Sequence, residues 1–590
     1  MTSPCVRMLL LALVVTACGP KLEHSRSDAG TTDAPQADAP PLPHTLTSLS
    51  VSPTNPIIQL DLNTTGAQDF TVTANYEDGT SDDVTSQVTW TVMNPAVGAM
   101  NGATLSIPAF AAAGAEVSLV TASLGGLTGQ AQITVVAYRQ SGAQQDFFFI
   151  LPYQDPTGQM SKPLDFATAI PALDVFFLMD TTGSMGGEIS NLQAAITGTV
   201  IPGIQSAVAN SQFGVGALED FPIDPYGNIH GSDCGSTDSS PDQPFKLRQA
   251  ITSNGTAVAT AVAGLSTGPD TPIGCGQDWP EGGIEAIYQA ASGQGLTGPS
   301  PTNVPPNQSG IGGVAFRQGT MPVIVAITDA MSHGVGETAT CTLSDGTLIT
   351  TPYAGTVATV AHSRADAKTA LSNICARVVG IAAIQPAMPV ACSGQEYLSD
   401  LATATGARVP PGAWDVGTRP TGCASNQCCT GQNGVGVAPD AQGLCPVVFD
   451  VTPQGTGVST NIVTGIQMLT RFATFDVPTD EQGSTTDING NPLPPGHVTT
   501  DFIKAVMPQS FMVPPGPPVV PNPTFDATTF HNVTPGTQVT FAVDAFNDFV
   551  MQTDSAQIFR ATIRVLAGGC TPLDQRNVLI LVPPAPITVQ

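Results

Sequence analysis

Asp180-Thr181-Thr182-Gly183-Ser184 brings a carboxylate and several hydroxyls together within one turn. The turn follows the apolar run Leu173 to Met179 and precedes a stretch in which Ile189, Leu192, Ile196 and Val200 recur at helical spacing until Pro202. An apolar run without alternation is expected of a strand buried on both faces of a parallel sheet, and ligands of such sheets collect at the carboxyl ends of the strands. Asp, Thr and Ser offer only hard oxygens. Neutral hydroxyls leave a bound ion more positive than a ring of carboxylates would, which suits Mg²⁺ (or Mn²⁺) with one position left for an outside anion. The same residue types also cap helices, so this string alone leaves site and cap both open. A positive helix end beside a cation is unfavourable, which accounts for Asp180 in the turn and favours an anionic partner there.

Three further blocks continue the pattern: Phe213 to Pro222 followed by Asp224-Pro225-Tyr226, Asp278-Trp279-Pro280-Glu281-Gly282-Gly283, and Val323 to Thr328 followed by Asp329-Ala330 and His333. In this order the four blocks resemble the von Willebrand factor A (VWA) domain, and more closely the I-like domain of integrin β subunits. The resemblance implies an α/β doubly wound, Rossmann-like domain over residues 173–473. It implies Thr182, Ser184 and Glu281 as direct metal ligands, with Asp180 and Asp329 binding directly or through water, and a carboxylate of a partner completing the shell. It also implies a flanking Ca²⁺ site of Asp220, Asp278, Glu281 and the Pro280 carbonyl, although Gly276 stands where the family supplies an Asn. At a third, adjacent site Glu188 matches one acidic position and Gly187 replaces the other. For His333 the expected place is the surface, with a supporting role at the site as the alternative.

The elements around this domain are read from patterning. Residues 46–137 alternate short β-rich runs with turn clusters, as in an antiparallel sandwich. Tyr76-Glu77-Asp78-Gly79-Thr80, Asp83-Val84-Thr85 and Val88-Thr89-Trp90 resemble the bacterial immunoglobulin-like domain of group 2, which implies a spacer module with Trp90 in its core. Beyond residue 474, runs such as Thr537 to Val543 and Ile558 to Val565 predict a second sandwich. Residues 138–172 are a linker or, by analogy with the hybrid domain of integrin β subunits, the first part of that sandwich. The expected fold is thus multidomain: an immunoglobulin-like β-sandwich, the A-type domain and a C-terminal β-sandwich. Helices are expected at Ala361 to Ala376, Tyr397 to Thr405 and Val458 to Phe472, and a shift of the last would carry metal-site occupancy to the C-terminal domain.

Residues 1–17 read as a secretory signal, too short in its apolar core to span a bilayer. Val15-Thr16-Ala17-Cys18 resembles the bacterial lipobox, implying a lipid on Cys18, with an ordinary cleaved signal as the alternative. Residues 18–45 carry almost no large apolar side chains and read as a solvated tether. A net charge of −28, from 18 Lys and Arg against 46 Asp and Glu, argues against nucleic-acid partners and against anionic lipid surfaces. With Cys5 and Cys18 set aside, ten cysteines remain, and disulfides are the default in an exported chain. The integrin-β resemblance places Cys234 and Cys275 in two loops near the metal face and so implies a bridge between them, and the group Cys423, Cys428, Cys429 and Cys445 reads as a stapled loop, with a zinc knuckle as the alternative.

Gly264-Leu265-Ser266-Thr267-Gly268 matches the nucleophile-elbow string but lacks the strand before it, and Pro269 follows where a helix should start. Mg²⁺ held by hydroxyls without an evident general base is poorly arranged for hydrolysis, so the chain reads as a non-enzyme. The expected function is a lipid-anchored protein of the bacterial envelope, at the outer membrane and surface, binding an acidic group of a protein or extracellular polymer through Mg²⁺. A structural envelope scaffold whose ions hold loops together is the alternative, and a metal-assisted hydrolase a distant third.

Overall fold

A computed structural model describes residues 44–142, 145–157, 160–229, 241–267, 276–385, 388–515 and 522–587. The expected signal, tether, lipidated Cys18 and the Cys234–Cys275 bridge lie outside these residues. The centre is a six-stranded sheet of β1 (Leu173–Asp180), β2 (Ser211–Leu218), β3 (Lys246–Thr252), β4 (Met321–Thr328), β5 (Arg377–Ala383) and β6 (Val448–Val451), in the order β3-β2-β1-β4-β5-β6. All neighbours are parallel except β3, which runs antiparallel to β2. Every residue of β1 and β4 is buried, which is why neither strand alternates in sequence. β2 carries Gly214 and Gly216 where the neighbouring Phe176 ring needs room: a Cβ on Gly216 would lie 2.5 Å from that ring. The chain leaves β1 and β4 toward opposite edges of the sheet, so a crevice opens beyond their carboxyl ends.

The helices are α1 (Gly186–Ala195), α2 (Ile201–Ala207), α3 (Gly255–Ala263), α4 (Gly283–Ser292), α5 (Arg364–Asn373), α6 (Gln395–Ala404) and α7 (Val458–Phe472). Consecutive residues of β5 show that they cover both faces. Val379 packs on Gly465 of α7, and Gly380 makes room for Leu398 of α6. Pro202 does not end the helical run as its sequence position predicts. A π-turn at Ile196–Val200 separates α1 from α2, and Pro202 falls in the first turn of α2, where its missing N–H costs little. Ile189, Leu192, Ile196, Val200 and Ile204 therefore remain on one buried face.

Two β units flank this domain. In the N-terminal one, Leu49, Val51 and Val72 of one sheet share a core with Val120, Ile133 and Val135 of another, and the half-buried Trp90 packs against it. In the other, Phe147–Ile150 pairs in parallel with Thr571–Val582, and Met160–Ala167 pairs antiparallel with Gln538–Ala545. The segments before and after the α/β domain thus share two sheets, and one hydrophobic core continues from Val175 and Phe177 into Phe166 and Phe541. A Cys375–Cys570 disulfide ties the segment after α5 to a hairpin of this β unit. Cys423–Cys429 and Cys428–Cys445 staple the insert between β5 and β6, so these thiols are not free to form a zinc knuckle.

Candidate metal centre

Asp180 ends β1 fully buried. Its Oδ1 accepts from the Thr182 amide at 2.9 Å and the Thr182 hydroxyl at 2.7 Å, and its Oδ2 accepts from the Thr328 hydroxyl at 2.6 Å. Thr182 and Met185 precede the short 3₁₀ turn and α1, and neither makes a side-chain cap hydrogen bond. The hydroxyls of the turn are therefore not spent as helix caps. Ser184 is exposed and lies near enough to Asp329 to lower its pKa. Asp329, just beyond β4, accepts from the Gln385 amide at 2.6 Å through Oδ2 and leaves Oδ1 buried without a partner.

Glu281 reaches the same place from the loop before α4. Its backbone is fixed by an amide bond to the Met331 carbonyl and by its own carbonyl accepting from the His333 amide at 2.8 Å. Its Oε2 is buried without a hydrogen-bond partner. Gly276 adopts φ +71°, and a Cβ there would come within 3.0 Å of the Thr182 methyl and 3.4 Å of Glu281 Oε1. Thr182 and Glu281 are therefore neighbours across the gap beside Gly276, where a side chain would press on the Thr182 methyl. Trp279 donates its indole N–H to the Cys392 carbonyl at 2.7 Å, and Cys392 is bonded to Cys341, which anchors the loop carrying Asp278 and Glu281.

Burial, then the charge of Asp329, raises Asp180 to about 7. Burial and the surrounding carboxylates raise Glu281 well above its ordinary range, and burial raises Asp329 despite Gln385 and Ser184. Carboxylates packed this closely fit a divalent cation, and the donors are hard oxygens. Glu188, in the first turn of α1, is also buried, has both oxygens unpartnered, and is raised to about 7, chiefly by burial and then by Asp329 and Asp180. Gly187 beside it has a structural reason: a Cβ would lie 2.5 Å from the Pro453 carbonyl oxygen, because the loop before α7 crosses α1 there. Asn191 of α1 also accepts from the amide and hydroxyl of Ser459 at the start of α7.

The flanking cluster differs from the sequence expectation. His333 is buried, not a surface residue; its Nε2 lies 3.0 Å from Asp278 Oδ2 and 3.9 Å from Asp220 Oδ2. Asp220 accepts from the Tyr353 hydroxyl at 2.5 Å through Oδ1, while its Oδ2 and Asp278 Oδ1 have no hydrogen-bond partner. One ligand atom each from Asp220, Asp278 and His333 lie within 4.8 Å of one another, a set that includes imidazole and does not include Glu281. Burial pulls His333 down, but the Asp278 hydrogen bond and the charges of Asp220 and Asp278 outweigh it, so the imidazole is raised. Asp220 is raised to about 8, mainly by burial.

Sequence reading missed Tyr353, Gln385, Thr351 and Glu219. Glu219 is fully buried and receives the Thr181 hydroxyl at 3.1 Å. An acidic pair, Glu219-Asp220, at the end of an apolar strand was the available signal for it. Gly264 caps the end of α3, and Leu265 turns back to the Val262 carbonyl, so the elbow-like string begins in a helix-terminal loop.

Residues 167–299 match the family model described as the integrin beta chain VWA domain. Among curated proteins, Ice-binding protein 1 of Shewanella frigidimarina (strain NCIMB 400) is 40% identical over 83 residues, which is 14% of this chain and 8% of that protein. The chain thus spans only a small part of that relative. Among solved structures, the pilus adhesin SpaC from Lactobacillus rhamnosus GG in its open conformation aligns over 79% of this chain and 52% of that one, with 11% identity and a TM-score of 0.26, too low to carry an argument. The order of the sheet, the turn at its switch point and the family match together show that the chain carries a VWA domain similar to that of integrin beta chains.

Proposed function

We propose that the protein is an adhesin-type binding protein whose Asp180, Thr182, Ser184, Glu281 and Asp329 hold Mg²⁺ (or Mn²⁺), with an acidic group of a protein or extracellular ligand completing the metal shell. The observation that carries this reading is the set of buried, unpartnered carboxylate oxygens on Glu281 and Asp329, beside the uncapped Thr182 and the exposed Ser184 at the sheet's switch point. When bound, the ion would supply a Lewis-acidic position for a partner carboxylate. The chain's own residues do the rest. Asp180 orients the Thr182 hydroxyl, Gln385 fixes Asp329, and the Trp279 anchor holds Glu281 at the gap beside Gly276.

On this reading the protein binds rather than turns over, and the lipid expected at Cys18 would hold it on the bacterial surface at the end of its tether. Its immunoglobulin-like N-terminal unit would act as a spacer. Capture of partners in Mg²⁺, repeated with chelator and with Asp180→Ala, tests the proposal. Binding that survives both treatments rejects it. Loss of folding stability on chelation without loss of a partner would instead favour ions that only hold loops together.

A further inference from the structure

We propose that Asp220, Asp278 and His333 bind a first-row transition ion of the Zn²⁺ class, separately from the hydroxyl-bearing site at Asp180 and Thr182. The three side chains come from three loops: after β2, before α4 and after β4. His333 Nδ1 lies 2.9 Å from the Thr351 carbonyl oxygen, which can only accept. Nδ1 therefore carries the proton, and Nε2 is the nitrogen left to face the two carboxylates. A histidine that binds a metal through one ring nitrogen characteristically gives the other N–H to a carbonyl or carboxylate. The Tyr226 and Tyr353 rings lie 4.9 and 5.0 Å from the imidazole and fix its plane.

Asp220 supplies the second, independent observation. It is fully buried, its Oδ1 is held by Tyr353, and its Oδ2 points at the imidazole edge with no hydrogen-bond partner. Asp278 Oδ1 is likewise unpartnered, and its side chain is 29% exposed, which leaves an entrance for the ion and for water as a further ligand. Ca²⁺ seeks six to eight oxygens, whereas imidazole with two carboxylates suits Zn²⁺ and its neighbours in the first transition row. The donor set thus disagrees with the all-oxygen Ca²⁺ site that the family resemblance implies.

The test is calorimetric titration of the chelator-stripped full chain with Zn²⁺ and, separately, with Ca²⁺, in saturating Mg²⁺. The expected result is one equivalent of Zn²⁺, bound about 100-fold more weakly after His333→Asn, with no displacement by millimolar Ca²⁺. Asp278→Asn, at the partly exposed ligand, gives a second variant should His333→Asn misfold, with a loss of at least about tenfold. In the wild type alone, the visible spectrum of bound Co²⁺ should persist in excess Ca²⁺. Equal Zn²⁺ affinity in both variants, or displacement of Zn²⁺ or Co²⁺ by Ca²⁺, overturns the proposal. Asp180→Ala should keep Zn²⁺ uptake while losing Mg²⁺-dependent capture, so failure at one site is told apart from failure at the other.

Discussion

The cluster at Asp180 and the cluster at Asp220 stand at the ends of adjacent strands, both rich in buried carboxylate, yet different loops complete them. At the first, Ser184 is exposed and the remaining donors are hydroxyls and carboxylates. At the second, residues 351–353 fold back so that Tyr353 covers Asp220 and the Thr351 carbonyl takes the His333 N–H. Burial raises the carboxylates at both, so burial alone does not assign a role. What separates them is donor type and access: oxygen donors with an exposed edge suit an ion shared with a partner, and imidazole in an aromatic box suits an ion that joins loops.

Asp180→Ala should separate the clusters most sharply. Partner capture in Mg²⁺ should weaken by on the order of 100-fold, as for removal of one member of a buried charged set. Metal-free unfolding in urea should lose about 1–3 kcal/mol, because the Thr182 amide and the Thr182 and Thr328 hydroxyls lose their buried acceptor. His333→Asn should act on the other cluster. Capture in Mg²⁺ should persist, while metal-free unfolding in urea should show a loss of about 1–3 kcal/mol, because Asp278 and the Thr351 carbonyl lose their hydrogen bonds to the imidazole.

A pH series in chelator tests what the clusters share. Asp180, Glu188 and Asp220, raised to about 7, 7 and 8, hold more protons folded than unfolded above the ordinary carboxylate range. Their contribution to stability is therefore complete near pH 4 and is lost as pH climbs through 7 to 8. Tm should fall over that interval without metal, and added divalent cation should raise it most at the alkaline end. A flat profile would mean that the carboxylates are relieved by something other than protons or metal.

The smallest contrast lies in neighbouring glycines. Gly187→Asp drives a side chain into the Pro453 and Gln454 backbone and should cost about 1–3 kcal/mol in urea unfolding. Gly183→Ala meets nothing within 4 Å and should stay within about 0.5 kcal/mol of wild type.

Local patterns made part of this architecture legible. The unalternating apolar run to Met179 is a doubly buried strand, and the predicted helix Val458 to Phe472 has the observed bounds, because its apolar periodicity and the preceding Gly457 mark it. The Asp180 turn and the Glu281 and Asp329 blocks are each continuous in sequence; only the family resemblance linked them, and the structure sets Glu281 beside Thr182. His333 could not be placed, since its burial depends on residues 351–353, distant in sequence and devoid of any metal-site pattern. The π-turn escaped notice because Pro202 signals a stop, and only packing against Gly203 and Val463 shows the helix carrying on. Gly187 and Gly276 read as missing ligands in sequence, whereas the structure shows Gly187 closed to a side chain by the Pro453 loop and Gly276 in a left-handed turn tight against the Thr182 methyl.

Water-proton relaxation of Mn²⁺ bound to the chelator-stripped full chain, with the Asp220, Asp278 and His333 cluster first filled by one equivalent of Zn²⁺, tests the main site most directly. The account predicts a tightly bound Mn²⁺ with exchangeable water, absent from Asp180→Ala, whose relaxation falls when a carboxylate-bearing ligand displaces that water. Mn²⁺ bound equally well by Asp180→Ala, or bound without exchangeable water, would contradict it.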